Sequence, residues 1–121
     1  DFVFIDDAID ATILGLESEN ANGEVFNVGS GVPVDVLSVA NELMKNLCKK
    51  VPVRISGNYR IGDIRHNYAD LKKIESLLGY KPRVSFQEGI KLFAKWVKKQ
   101  KIFTNNYSKS LDELKSRGFL K

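Results

Sequence analysis

One cysteine and one histidine, Cys48 and His66, leave this chain without the means for an intrachain disulfide or a typical zinc site. No apolar run approaches the roughly 20 residues that a membrane-spanning helix needs. Repeats and low-complexity tracts are absent, and nothing resembles a nucleophile elbow. A starting Met is also absent. Asp1 leads directly into Phe2-Val3-Phe4-Ile5, an abrupt start expected of a chain cut from something longer.

What is present is ordinary for a soluble domain. The chain has 121 residues, 43% of them hydrophobic and 28% charged, with a net charge of +4. That length suits one domain burying roughly two-thirds of its unfolded surface. Much of the positive charge comes from Lys91, Lys95, Lys98, Lys99 and Lys101, towards the end of one predicted helix. Cations there complement the helix dipole, so a solvated face is expected.

The pattern alternates strand and helix in the first half. Phe2 to Ile5 reads as a buried strand, followed by a helix capped by Asp6 or Asp7 with Ile9, Ile13 and Leu16 on its apolar face. Asn22-Gly23 precedes a second strand, Glu24 to Val28, which Gly29-Ser30-Gly31 breaks before a short extended stretch, Val32 to Val34. Asp35 is a predicted N-cap for a helix carrying Leu37, Ala40, Leu43, Met44, Leu47 and Cys48, where the free thiol serves as a small hydrophobe. Val51 to Ile55 returns to extended structure. Helices dominate the second half. One is capped by Asp70 and stopped by Gly79, one opens with the capping box Ser85-Phe86-Gln87-Glu88, and a last one starts at Ser110 and ends at Gly118. Three or four short strands are few for an independent doubly wound sheet, so the α/β pattern looks incomplete.

Few residues offer chemistry. Gly29-Ser30-Gly31 invites a dinucleotide reading, but Val34 stands where the Rossmann fingerprint needs its third Gly. A strand-ending turn is expected there instead. His66 has no nucleophile beside it in sequence, and a surface or packing role is expected. The loop Tyr59-Arg60-Ile61-Gly62-Asp63-Ile64-Arg65-His66 is richer. A guanidinium grips phosphate oxygens bidentately, a carboxylate accepts from sugar hydroxyls, and Gly62 lets the backbone turn both towards one ligand. The same residues could equally form a surface ion pair of little energetic weight.

The order of segments resembles the extended short-chain dehydrogenases that act on nucleotide sugars. Asp1-Phe2-Val3-Phe4-Ile5-Asp6-Asp7-Ala8 is similar to their "(R)D(F/Y)(V/I)" segment, and Phe26-Asn27-Val28-Gly29-Ser30-Gly31 to their "(Y/F)N(L/V)G(S/T)G" turn. Arg60-Ile61-Gly62-Asp63 resembles "RxGD". Tyr68-Ala69-Asp70 with Leu78-Gly79-Tyr80-Lys81-Pro82 resembles "xADxxKAxxxLGYxP", and Ser85 to Ile90 the opening of the last family helix. The wording around Gly62 to Asp70 and the tail Leu111 to Leu120 is most similar to dTDP-L-rhamnose 4-epimerase-like members, with UDP-glucose 4-epimerase-like members beside them.

The resemblance implies the C-terminal, substrate-binding portion of a Rossmann-type NAD-dependent epimerase or dehydratase over residues 1–121, with 101–121 a tail and short helix. It implies that Arg60 binds the nucleotide diphosphate and Asp63 the nucleotide ribose, with Gly29 and Gly31 as structural turn residues. It also implies a nucleotide-sugar substrate and an N-terminal NAD-binding portion as partner; a homodimer is compatible. With Cys48 the only cysteine, a cytoplasmic setting is expected. The family's NAD-binding glycine motif and catalytic Tyr/Lys pair do not appear in these 121 residues. Tyr68 and Lys72 have the spacing but straddle the entry to a short helix. No catalytic residue, no metal and no bound NAD are therefore expected of this chain alone. The alternative is a small basic module, motivated by the lysine cluster with Phe93 and Trp96, that binds nucleic acid or another protein.

Overall fold

In a computed structural model, which describes residues 1–101 and 104–121, the chain forms five α-helices: α1 (Ile5–Glu17), α2 (Val36–Leu47), α3 (Lys72–Leu78), α4 (Phe86–Val97) and α5 (Tyr107–Ser116). A single 3-10 turn, Glu19–Ala21, follows α1. Side-chain caps and left-handed glycines set four of these helix ends. Asp35 accepts the Ser38 N–H at the start of α2, and Ser85 accepts the Glu88 N–H at the start of α4. Gly79 and Gly118 close α3 and α5 with φ of +68° and +71°, where glycine carries no Cβ penalty.

The expected strands do not form. Among the described residues the only β pairing is an isolated antiparallel bridge between Arg60 and Leu120. Segments such as Glu24 to Val28 and Val51 to Ile55 are extended-type sequence without a neighbouring strand to exchange N–H and C=O groups, so no ladder closes. Val25 and Ile55 stay exposed as a result. The chain is helix-rich rather than an α/β sheet with flanking helices.

The helices differ from expectation in informative places. The first begins at Ile5 with Phe4 as N-cap, so Asp6 and Asp7 fall in its first turn. Its inward face is Asp7, Ala11 and Leu14, while Ile9, Ile13 and Leu16 are exposed, Leu16 to 81%. The reason is a buried carboxylate with two dedicated donors, described below, which fixes the rotation of α1. Cys48 is not on the apolar face of α2. It is the exposed left-handed C-cap, one residue past the helix. Leu71 is the N-cap of α3, with Asp70 accepting the Lys72 N–H from the position before. The last helix starts at Tyr107, one turn before Ser110.

The fully packed centre is small. Ala11, Leu71, Ile74 and Tyr80 are buried, with Leu14, Phe26, Ala69 and Leu78 packed against them. A second contact joins α2 to α4, and α3 sits against the 3-10 turn. No helix among the described residues is long and apolar enough to cross a membrane.

Candidate functional site

Three side chains hold the irregular segments in place. The Asp1 carboxylate accepts the backbone N–H groups of Ser30 (2.9 Å), Gly31 (3.1 Å) and Ala69 (3.0 Å), and the Ser30 hydroxyl donates to it as well. A Cβ on Gly29 would collide with Asp1 and Ala69, so this close approach requires glycine. Asp7, 1% exposed, accepts the Arg83 and Val84 N–H groups at 2.9 and 3.0 Å. The Tyr80 hydroxyl donates to the Gly29 carbonyl at 3.0 Å. Burial pushes the Tyr80 phenol above its ordinary range, and the negative charge of Asp7 adds to the shift.

These ties also decide what the Gly29-Ser30-Gly31 turn can do. A dinucleotide turn must offer its N–H groups to a pyrophosphate. Here the Ser30 and Gly31 N–H groups are already given to Asp1, and Gly31 turns at φ +69° beneath Leu71. The turn does not fit that role. Gly29 and Gly31 act as packing and turn residues.

The loop singled out from sequence lies elsewhere. Arg60 and Asp63 stand at the two ends of one turn, in which the Asp63 N–H donates to the Arg60 carbonyl at 3.2 Å. Gly62 supplies the left-handed step, φ +92°. Both side chains are exposed, and among the described residues neither has an ion-pair or side-chain hydrogen-bond partner. Arg65 and His66 are exposed on the same loop. By contrast Arg83 is engaged with Asp10, Lys91 with Glu88, and Lys98 donates to the Asn46 carbonyl. The turn therefore presents one guanidinium and one carboxylate to solvent, three positions apart and uncommitted. Such a pair can take a phosphate on one side and hydroxyls on the other.

Two hollows lie away from this loop. One, about 390 Å³, is apolar and framed by Phe2, Phe4, Val39, Leu43, Phe86 and Phe93, with the Phe2 and Phe86 rings 5.7 Å apart. The other, about 480 Å³, lies beside the Asp35 cap. Neither is lined by Arg60 or Asp63. Among the described residues no three His, Cys, Asp or Glu side chains gather as metal ligands would.

Sequence reasoning missed Asp1, Asp7 and Tyr80 as the residues that join the segments. For Asp7 a signal was present. Asp7, Ala11 and Leu14 recur at helical spacing, a core face if one buried carboxylate is allowed within it. Asp1 and Tyr80 carry no such local signal, because their partners lie 29 to 68 positions away.

Residues 1–93 match the family model described as GDP-mannose 4,6 dehydratase. The chain is 34% identical over 97 residues to a dTDP-L-rhamnose 4-epimerase of Burkholderia thailandensis, covering 80% of this chain and 26% of that protein. It is 35% identical over 101 residues to a putative UDP-glucose 4-epimerase of Methanocaldococcus jannaschii, covering 81% and 30%. A UDP-glucuronate 4-epimerase of Thermodesulfobacterium geofontis is 31% identical over 99 residues, again covering 81% and 30%. The chain thus spans less than a third of the length of these relatives.

Proposed function

The chain belongs to the short-chain dehydrogenase family of nucleotide-sugar epimerases and dehydratases, and from that premise we propose that it is the substrate-binding portion of such an enzyme, binding the nucleotide diphosphate through the Arg60–Asp63 turn. The observation that carries this reading is the uncommitted state of that turn. Arg60 offers a planar fork of donors suited to two phosphate oxygens, and Asp63 offers acceptors suited to the vicinal hydroxyls of a ribose.

NAD would be held by the N-terminal portion of the complete enzyme, not by the glycine turn of this chain, and would supply reversible hydride exchange with the sugar. The residues of this chain bind and orient the substrate for that exchange. On this reading the 121 residues form the substrate-binding portion, with 101–121 its tail and short helix, and do not epimerise a sugar by themselves. Proposed partners are a nucleotide sugar and an N-terminal NAD-binding portion, in a cytoplasmic setting.

Titrating the chain with dTDP and with UDP, followed by NMR, tests the reading. Saturable amide shifts centred on Arg60 and Asp63, lost in Arg60→Ala, support it. Absence of shifts at millimolar nucleotide, or equal losses in Arg60→Ala and Arg83→Ala, would sink it, the latter by pointing to unspecific charge attraction.

A further inference from the structure

The candidate turn sits in the longest exposed stretch of the molecule. Every residue from Cys48 to Tyr68 is exposed. A segment of that kind contributes little burial to offset the entropy of holding one conformation, and local opening is its ordinary behaviour. Something must hold Arg60 and Asp63 in register if they are to meet one ligand together.

The hydrogen bonds provide one tie. The Tyr59 N–H donates to the Lys121 carbonyl at 2.7 Å, the Lys121 N–H returns to the Tyr59 carbonyl at 3.0 Å, and the Ile61 N–H donates to the Phe119 carbonyl at 3.0 Å. Among the described residues, every hydrogen bond that joins residues 50–66 to another segment runs to Phe119–Lys121. Gly118 aims this segment. Its left-handed turn, φ +71°, follows α5, and the Gly118 and Phe119 N–H groups return to the Lys115 and Leu114 carbonyls.

The register places the tie where it matters. Tyr59 and Ile61 use one backbone edge for the tail, while the Arg60 carbonyl on the other edge accepts from Asp63 to close the turn. Arg60 and Leu120 form the bridge pair. Antiparallel residues in such a non-hydrogen-bonded pair stand about 4.5 Å apart at Cα, so Leu120 flanks the stem of Arg60. The tail also lies outside residues 1–93, the part matched by the family model.

We infer that Phe119–Lys121 is a backbone clasp that holds the Arg60–Asp63 turn in its binding conformation and so sets the affinity for a nucleoside diphosphate. Leu120 and Gly118 are positioning residues, acting through Arg60 rather than on the ligand. The inference rests on the substrate-binding reading above and adds a determinant to it. Opening the clasp lowers the fraction of chains with a competent turn, and apparent affinity falls by that fraction. Linkage makes the effect reciprocal: a nucleotide that favours the ordered turn also tightens the clasp.

The test uses three chains: the unaltered one, one stopped after Gly118, and Gly118→Val, which keeps every tail atom but disfavours the left-handed turn. UDP is the probe. Each chain is titrated, and amide hydrogen exchange is followed at Tyr59, Ile61 and Lys121. The expected result is about tenfold weaker UDP binding in both altered chains, as for a competent fraction reduced to about a tenth. Tyr59 and Ile61 should exchange faster there, with the amides of α1 to α4 unchanged. In the unaltered chain UDP should slow exchange at Lys121, which a merely structural tail would not show. Equal UDP affinity in all three chains would overturn the clasp while leaving the substrate-binding reading intact. No UDP binding by the unaltered chain would overturn the substrate-binding reading, and the clasp's role in affinity with it.

Discussion

The Tyr80 hydroxyl reaches across 51 positions to the Gly29 carbonyl, and it is among the few fully buried polar contacts in the molecule. It joins the end of α3 to the turn that Asp1 grips from the other side. Because burial holds the phenol neutral above its ordinary range, the sign of its pH effect is fixed. Its contribution is complete below the unfolded value near 10 and is lost as pH rises from there through the folded value. Tyr80→Phe should cost about 1 kcal/mol at neutral pH, the net worth of an ordinary hydrogen bond. Its denaturant midpoint should also fall less steeply above pH 10 than that of the unaltered chain. An unchanged alkaline slope would show that Tyr80 is not the group responsible.

Asp7 is the second test of the wiring. Its two carboxylate oxygens each accept one backbone N–H, from Arg83 and from Val84. Asn offers one acceptor where two are needed and turns an NH₂ towards the remaining donor. Asp7→Asn should therefore destabilise the chain by about 2 kcal/mol, the cost of a buried unsatisfied donor. Urea unfolding followed by circular dichroism measures it, and a loss below about 0.5 kcal/mol would be that of an ordinary surface position.

The two helix caps separate geometry from charge. Ser85→Ala should cost about 1 kcal/mol, as capping hydroxyls usually do. Asp35 is held below the usual carboxylate range, first by the Ser38 hydroxyl and then by the Ser38 N–H. A lowered folded value means stability present above the unfolded value and lost as pH falls through the folded one. Asp35→Asn keeps a good cap but cannot ionise. Its acid unfolding limb should be shallower than that of the unaltered chain, with equal helicity at pH 7 by circular dichroism.

For ligand binding, Arg60→Ala should weaken dTDP or UDP by roughly tenfold or more, the scale of one charge-assisted contact. Arg83→Ala should change it little, because that guanidinium is engaged with Asp10. Isothermal titration of both variants distinguishes a specific phosphate contact from general attraction to a basic chain.

The helices were largely legible in the sequence because their signals are local. Asp35, Ser85, Gly79 and Gly118 each mark a boundary through chemistry within three or four residues. The strands were not, because a β-strand is a relation between two segments, and Glu24 to Val28 or Val51 to Ile55 read alike with or without a partner. The rotation of α1 was misread for a related reason. Ile9 and Ile13 outweigh Asp7 in any count of hydrophobicity, yet Arg83 and Val84, far along the chain, supply the donors that bury the carboxylate. Arg60 and Asp63 are singled out as candidates by residue type and by the resemblance to the family's RxGD element, and their sharing of one turn follows from Gly62. The pairing of that turn with the tail has no sequence signature, since backbone groups carry it.

The long reach of the polar ties has a kinetic consequence. Helical proteins of this size usually fold quickly because most of their contacts are local. Here Asp1 meets Ala69, Asp7 meets Val84, and Tyr80 meets Gly29, across 68, 77 and 51 positions. The helices can form early, but the native arrangement waits for three large loops to close. This chain should therefore fold at the pace of a mixed α/β domain, slower than its helix content suggests.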